Sequence, residues 1–202
     1  MVRRLGNLFA GLVLFGVSIG LMIAANLGLA PWDVLHQGLS LRTGLPIGWV
    51  VNLVGAAVLL LWLPLRQRPG IGTISNVIVI GLAADATLAL LPPLSGLAPR
   101  VTLLLLGVLA NGVATGLYIG AGLGPGPRDG LMTGLARRGH SIRVVRTSIE
   151  LTVLGTGWLL GGTLGAGTLL YAFAIGPLAH FFIPRLAVTG PAREPNRPAG
   201  QP

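Results

Sequence analysis

Residues 16–42 read GVSIGLMIAANLGLAPWDVLHQGLSLR, and residues 112–138 read GVATGLYIGAGLGPGPRDGLMTGLARR; offset by 96, they agree at 14 of 27 positions. In each, an apolar run with small residues every fourth position ends at a glycine, followed by a proline and then an aspartate. The likeness continues more weakly at an offset of 95: Ile47 with Ile142, GIGT at 70–73 with GAGT at 165–168, and IGLAAD at 80–85 with IGPLAH at 175–180. The chain is therefore a duplication.

Composition says what was duplicated. Of 202 residues, 52% are hydrophobic and 9% charged, with a mean hydropathy of +0.81. A soluble domain carries about a quarter charged residues, so this chain cannot coat itself for water. Its 32 glycines and 15 prolines lie among Leu, Val, Ile and Ala, as transmembrane helices permit. All fourteen basic residues are arginine, and they sit between apolar segments rather than on one polar face, which argues against nucleic-acid binding. There is no cysteine, so disulfides and thiolate metal sites are excluded. His36, His140 and His180 lack ligand spacing, and no GxSxG, HExxH or P-loop signature occurs. No enzyme, cofactor or metal is expected.

Crossing the hydrocarbon takes about 20 mainly apolar residues. Six segments are expected to span: 5–27, 47–65, 71–91, 101–122, 144–162 and 164–183. The last two are weaker because of Glu150 and the glycines near 161–167, which leaves a five-span alternative. Arg3 and Arg4 before an apolar run resemble a signal peptide, but the run is long and has a mid-chain counterpart, so it reads as a retained first span. With the N-terminus cytoplasmic, Arg3, Arg4, Arg66, Arg68, Arg128, Arg137, Arg138, Arg143, Arg146, Arg185, Arg193 and Arg197 fall inside, and only Arg42 and Arg100 outside. That bias favours six spans with both termini cytoplasmic. Three spans per half, 1–92 and 93–186, make the halves inverted repeats, an architecture of secondary transporters. Residues 187–202 read as a disordered cytoplasmic tail.

The duplicated punctuation then has a structural meaning. Gly28 and Gly124 end a helix, and Pro31 and Pro127 open a short one, at 32–41 and 128–138. Asp33 and Asp129 fall in its first turn, where a carboxylate meets the positive end of the helix dipole. The breaks are expected near opposite faces, with the short helices amphipathic or re-entrant. Gly16 and Gly20, and then Gly112, Gly116 and Gly120, form small-residue ladders for close helix packing. Ionisable groups at depth are functional candidates: Asp85 and His180, at matching positions of the two halves, either pair or serve as boundary residues. Glu150 and Arg146 are spaced to pair on one helix face. Asn52 is a polar bridge, and Trp32, Trp49, Trp62 and Trp158 read first as interfacial anchors.

Taken together, NLGLAPWDVLHQGLSLRTGLPIG, GLGPGPRDGLMTGL and VRTSIELTVLGTGWLLGG…GAGTLLYAFAIGPLAHFF resemble the YczE-like bacterial membrane proteins of the YczE/YyaS/YitT group, over residues 5 to about 185. The resemblance implies a small polytopic protein of the bacterial cytoplasmic membrane and brings no substrate or catalytic residue with it. From the residues, the leading expectation is a transporter-like protein that moves or binds a small solute in the lipid bilayer, with a homodimer suggested by so thin a cavity. The rival is a scaffold or regulator that binds partner helices or a cytoplasmic partner.

Overall fold

The structure, a computed structural model, describes residues 1–188. The expected tail from residue 189 onward, with Arg193 and Arg197, lies outside them. Among the described residues the chain forms nine helices and no strand: α1 (Val2–Ala25), α2 (Pro31–Thr43), α3 (Ile47–Leu60), α4 (Trp62–Leu65), α5 (Ile71–Leu90), α6 (Leu97–Gly120), α7 (Pro127–Ala136), α8 (Ile142–Leu159) and α9 (Ala166–Leu186). Five stretches are long and apolar enough to cross a membrane: α1, α3 with α4, α5, α6 and α9. The protein is an all-helical membrane protein.

The helices begin and end for local reasons. Asn26 (φ 49°) and Gly28 (φ 114°) take left-handed backbone after α1, and Gly122 (φ 63°) and Gly124 (φ 122°) do so after α6. A residue with a β-carbon resists that region, and glycine does not. Pro31 and Pro127 then occupy the first helical turn of α2 and α7, where the missing N–H costs no hydrogen bond.

The four long helices around these breaks pack through glycine. Gly11 lies against Tyr118 and Ala114, and Gly107 against Met22 and Ser18, so α1 and α6 run antiparallel. Gly16 and Gly20 seat α5 at Ile80, Ala83 and Thr87, whereas Gly112, Gly116 and Gly120 seat α9 at Leu178, Phe182 and Ala187. Both of those pairs run parallel. The ladders therefore join the first and last helix within each half. The main buried clusters follow this frame: Leu8, Leu12, Ile19, Ile80 and Ala84 at one end, and Met22, Leu29, Val34, Leu104 and Val108 at the other.

Contacts recur in pairs related by the sequence offset. The Gly72 N–H donates to Leu123 O at 2.9 Å, and the Gly167 N–H to Leu27 O at 2.7 Å. Thr73 Oγ1 accepts from Gly70 N at the start of α5, as Thr168 Oγ1 does from Gly165 N at the start of α9. Arg138 binds Pro64 O, and Arg42 binds Leu160 O. Each break is thus held by the opposite half. The pairs also sort the charges: Arg100 closes on Ala25 O and Asn26 O at one end, while Asn7 reaches Leu186 O at the other. At that second end lie Arg3, Arg4, Arg66, Arg68, Arg137, Arg138, Arg143 and Arg185.

Of the two alternatives for Asp85, the boundary one agrees with its contacts, and the interfacial expectation changes for two of the four tryptophans. Asp85 Oδ1 accepts the Gly48 N–H at 2.7 Å and caps the start of α3; His180 is exposed on α9, so the two do not meet. Trp49 and Trp158 are exposed, but Trp32 and Trp62 are buried and are not anchors. Trp62 stands on Gly130 and donates its indole N–H to Pro127 O at 3.0 Å.

Close packing makes a direct prediction. A β-carbon at Gly81 would strike Asn52 and the Gly48 carbonyl, whereas one at Gly155 meets nothing within 4 Å. Gly81→Ala is expected to destabilise the protein by about 1–3 kcal/mol, as overpacking does, despite alanine's better helix propensity. Gly155→Ala is expected to be neutral or slightly stabilising. Thermal unfolding of the two variants in detergent checks this.

Candidate functional site

The breaks at Gly28 and Gly124 lie at opposite ends of the α1–α6 pair, as expected, but the helices that follow turn inward. The N-termini of α2 and α7 come together in the interior, so each short helix starts at depth and runs back out. Arg128 Nη2 of α7 lies 3.7 Å from Asp33 Oδ1 of α2. Around this meeting point is a cavity of about 520 Å³, walled by α3, α5, α6, α8 and α9 as well as by both N-termini. A cavity of that size suits a small molecule.

Its polar lining is arranged in three groups. In the first, His36 and Arg128 line the cavity and close over Asp33, which lies behind them, only 2% exposed, with His36 Nδ1 at 3.2 Å. The Arg128 guanidinium also covers the Trp32 ring, 5.0 Å from its centroid. Trp32 itself lines the cavity, and its indole N–H is buried with no hydrogen-bond partner. In the second, Tyr118 donates its hydroxyl to Asp129 Oδ2 at 2.7 Å. No ion pair engages Asp129 among the described residues. In the third, the Arg146 Nε–H donates to Glu150 Oε1 at 2.9 Å, the i,i+4 pairing expected, and both residues line the cavity. Behind these, Tyr171 donates to Asn111 Oδ1 at 3.1 Å, and Asn111 donates to Ser18 Oγ at 2.8 Å.

Four sequence candidates are therefore gathered: Asp33, Asp129, Arg146 and Glu150. Pro31 and Pro127 line the same space, and Gly28 and Gly124 act outside it, at the crossed contacts with Thr168 and Thr73. Asp85 and His180 stand apart. Arg128 departs from its expected place on the arginine-rich face; its side chain is 26% exposed and turned onto Asp33. Sequence reading passed over Tyr118, Asn111 and Tyr171, yet a signal existed. Aligned by the offset, Tyr118 replaces Met22 and Asn111 replaces Phe15, which are polar exchanges inside an apolar span. Among the described residues no three His, Asp or Glu gather as a metal would require.

The buried Asp33 carboxylate needs a balancing charge. Arg128→Leu would leave the Asp33 carboxylate without its cation, at a cost on the order of 3 kcal/mol. The double variant Asp33→Asn with Arg128→Leu removes that orphaned charge and is expected to recover most of the loss. A double-mutant cycle on the unfolding midpoint measures the coupling.

Comparison with known proteins follows the geometry. A family model described as a family of unknown function (DUF6198) matches residues 2–184. An "uncharacterized protein" of Haemophilus influenzae is 45% identical over 182 residues, 90% of this chain and 84% of its own. The "uncharacterized membrane protein YczE" of Bacillus subtilis is 36% identical over 188 residues, 92% of this chain and 87% of its own. Protein YyaS of the same organism is 26% identical over 181 residues, 86% of this chain and 89% of its own. No solved structure matches.

Proposed function

The chain belongs to the family of unknown function DUF6198 as a YczE-like membrane protein, and we propose that it carries a small solute across the bacterial cytoplasmic membrane by exposing its central cavity to each side in turn. The observation that carries this reading is the meeting of two half-helix N-termini, one from each half, at a polar cavity deep in an apolar bundle. Broken helices in corresponding positions of two repeats are the usual site of secondary transport. A charged group at such depth is costly unless it is paired or wetted, which makes it a functional candidate.

The topology has its own support. α6 and α9 pack in parallel, so the chain between them must return across the whole thickness. Of that chain, α8 has the length: 18 residues rise about 27 Å, close to the hydrocarbon thickness of about 30 Å. Two of its three charged residues, Arg146 and Glu150, line the cavity, Arg143 stands in its first turn at the arginine-rich end, and Leu151, Trp158 and Leu159 point outward. α8 thus serves as a sixth span that carries an ion pair on the cavity wall. With three spans per half and the first helices antiparallel, the halves 1–92 and 93–186 relate by a two-fold axis in the membrane plane. The arginine-rich end, with the N-terminus and the end of α9, is then cytoplasmic.

The halves differ in closeness, and the difference suggests a state. α2 meets α8 backbone to backbone, with Gly38 and Leu35 against Gly157. The equivalent approach of α7 to α3 and α4 is held apart by the Trp62 ring on Gly130. The cavity accordingly reaches toward the cytoplasmic end, past Val58, Ile183 and Arg146. This is an inward-facing arrangement, and exchanging the two kinds of contact would make the outward one. The scaffold reading loses its main support, since the glycine ladders are filled by α5 and α9 rather than left for partner helices.

Single cysteines test the reading in a chain that has none. Thr115, which lines the cavity, and Ile19, its equivalent and 1% exposed, are the informative pair. Thr115→Cys is expected to label with impermeant maleimide from the cytoplasmic side and Ile19→Cys to stay silent. Added solutes or an imposed proton gradient are expected to raise labelling of Ile19→Cys from outside while protecting Thr115→Cys. Fixed labelling under every condition would remove the carrier reading.

A further inference from the structure

We infer that the cavity binds a small zwitterion, with its cationic end on Asp129 and its anionic end at Arg128, over the Trp32 ring. The inference rests on the carrier reading for its biological sense, but it is argued from the cavity alone.

Charge comes first. Arg128 and Arg146 face three carboxylates: Asp33, Asp129 and Glu150. Two of these are spoken for, Asp33 by Arg128 at 3.7 Å and Glu150 by Arg146 at 2.9 Å. Asp129 has only the Tyr118 hydroxyl on one oxygen, with Arg146 acting on it at longer range. The N-termini of α2 and α7 add about half a positive charge each. The site is then near neutrality as a whole but polarised within. A simple cation or a simple anion would leave one end uncompensated in a poor dielectric, which is costly. A solute with a charge of each sign and none in sum fits.

The second argument is the available cation. Arg128 lines the cavity, its side chain is 26% exposed, and it lies over the Trp32 ring, 5.0 Å from the centroid. Its guanidinium has N–H groups beyond the one directed at Asp33. An anionic oxygen lying there would meet the guanidinium beside the N-terminus of α2. The Asp129 carboxylate, one residue along α7 from Arg128, is then the partner for the ammonium. A primary, secondary or quaternary ammonium satisfies this charge.

The test uses full-length protein in nanodiscs of phosphatidylglycerol, which contain no zwitterionic headgroup. Calorimetric titration compares alanine, proline, γ-aminobutyrate and glycine betaine with ethylamine and propionate. At least one zwitterion is expected to bind, and ethylamine and propionate at least tenfold more weakly. Asp129→Asn is expected to weaken the best zwitterion at least tenfold and leave propionate unchanged. Loss of binding on adding phosphatidylethanolamine would support the same chemistry with a lipid headgroup as its source. The inference is overturned if no zwitterion binds, if either single-charge probe binds as well as the best zwitterion, or if Asp129→Asn changes nothing. Should the Asn variant not fold, the wild-type comparison of the six probes still decides. The cysteine labelling separates this from the carrier reading. Alternating labelling without zwitterion binding removes only the ligand class, and zwitterion binding with fixed labelling removes only transport.

Discussion

Among apolar helices no water is at hand for a backbone N–H or C=O that its own helix has released, so a chain that leaves helical geometry and turns back into the bundle must find partners within the protein. Both breaks here solve the problem in the same way. Leu27 O accepts from Gly167 N, and Leu123 O from Gly72 N, each reaching the start of the last helix of the other half. Glycine is required on both sides of this crossing: Gly28 and Gly124 for their positive φ, and Gly70 and Gly165 because a β-carbon would strike Leu123 O and Leu27 O. Neither half completes its own break. The two halves are interdependent at the very points where the chain leaves helical geometry.

From that constraint the polar centre follows. Once each break is anchored at its end of the bundle, the three residues before Pro31 and Pro127 carry the chain inward, and α2 and α7 begin at depth. Their N-termini face one another with Asp33 and Asp129 in the first turns, where the carboxylates are favoured by the dipole. Arg128 then ties one N-terminus to the other through Asp33. Buried charge is tolerated because each group has a helix end, a guanidinium or a hydroxyl beside it. The outer surface of the long helices, by contrast, presents residues such as Leu82, Leu105, Leu169 and Phe173.

What could be read from the sequence was local. The breaks, the short helices (to within two residues at each end) and the Arg146–Glu150 pair depend on neighbours one turn away, and turn chemistry and i,i+4 spacing report these directly. The pairing of α1 with α6 and the filling of the glycine ladders depend on partners some sixty to a hundred residues distant. A ladder says that something packs closely and not what. Asp85 shows the same limit: its depth in an apolar run flagged it, but its Gly48 partner lies 37 positions away and turns an apparent intramembrane charge into a helix cap. Trp32 and Trp62 were misjudged because an indole near a span end suits an interface, and only the tertiary fold turns it inward. The cavity-lining Tyr118 was legible only by comparing the halves, where polarity changes against a constant frame.

That comparison bears on why the two halves remain unequal. An exact two-fold would place identical groups on either side of the centre, two tryptophans or two arginines beside two aspartates. With Arg128 twice, the guanidinium groups would repel across the short gap between the N-termini; with Trp32 twice, Asp33 would have no cation. The chain has one of each, and they stack. Likewise Tyr118 faces Asp129, while its equivalent Met22 packs with Ala25 and Val108 in an apolar cluster. Fusing the halves into one chain frees each position to diverge while the breaks, ladders and crossed hydrogen bonds recur in both halves. A centre with different groups on its two sides can then sit where the halves meet, which two identical halves could not build.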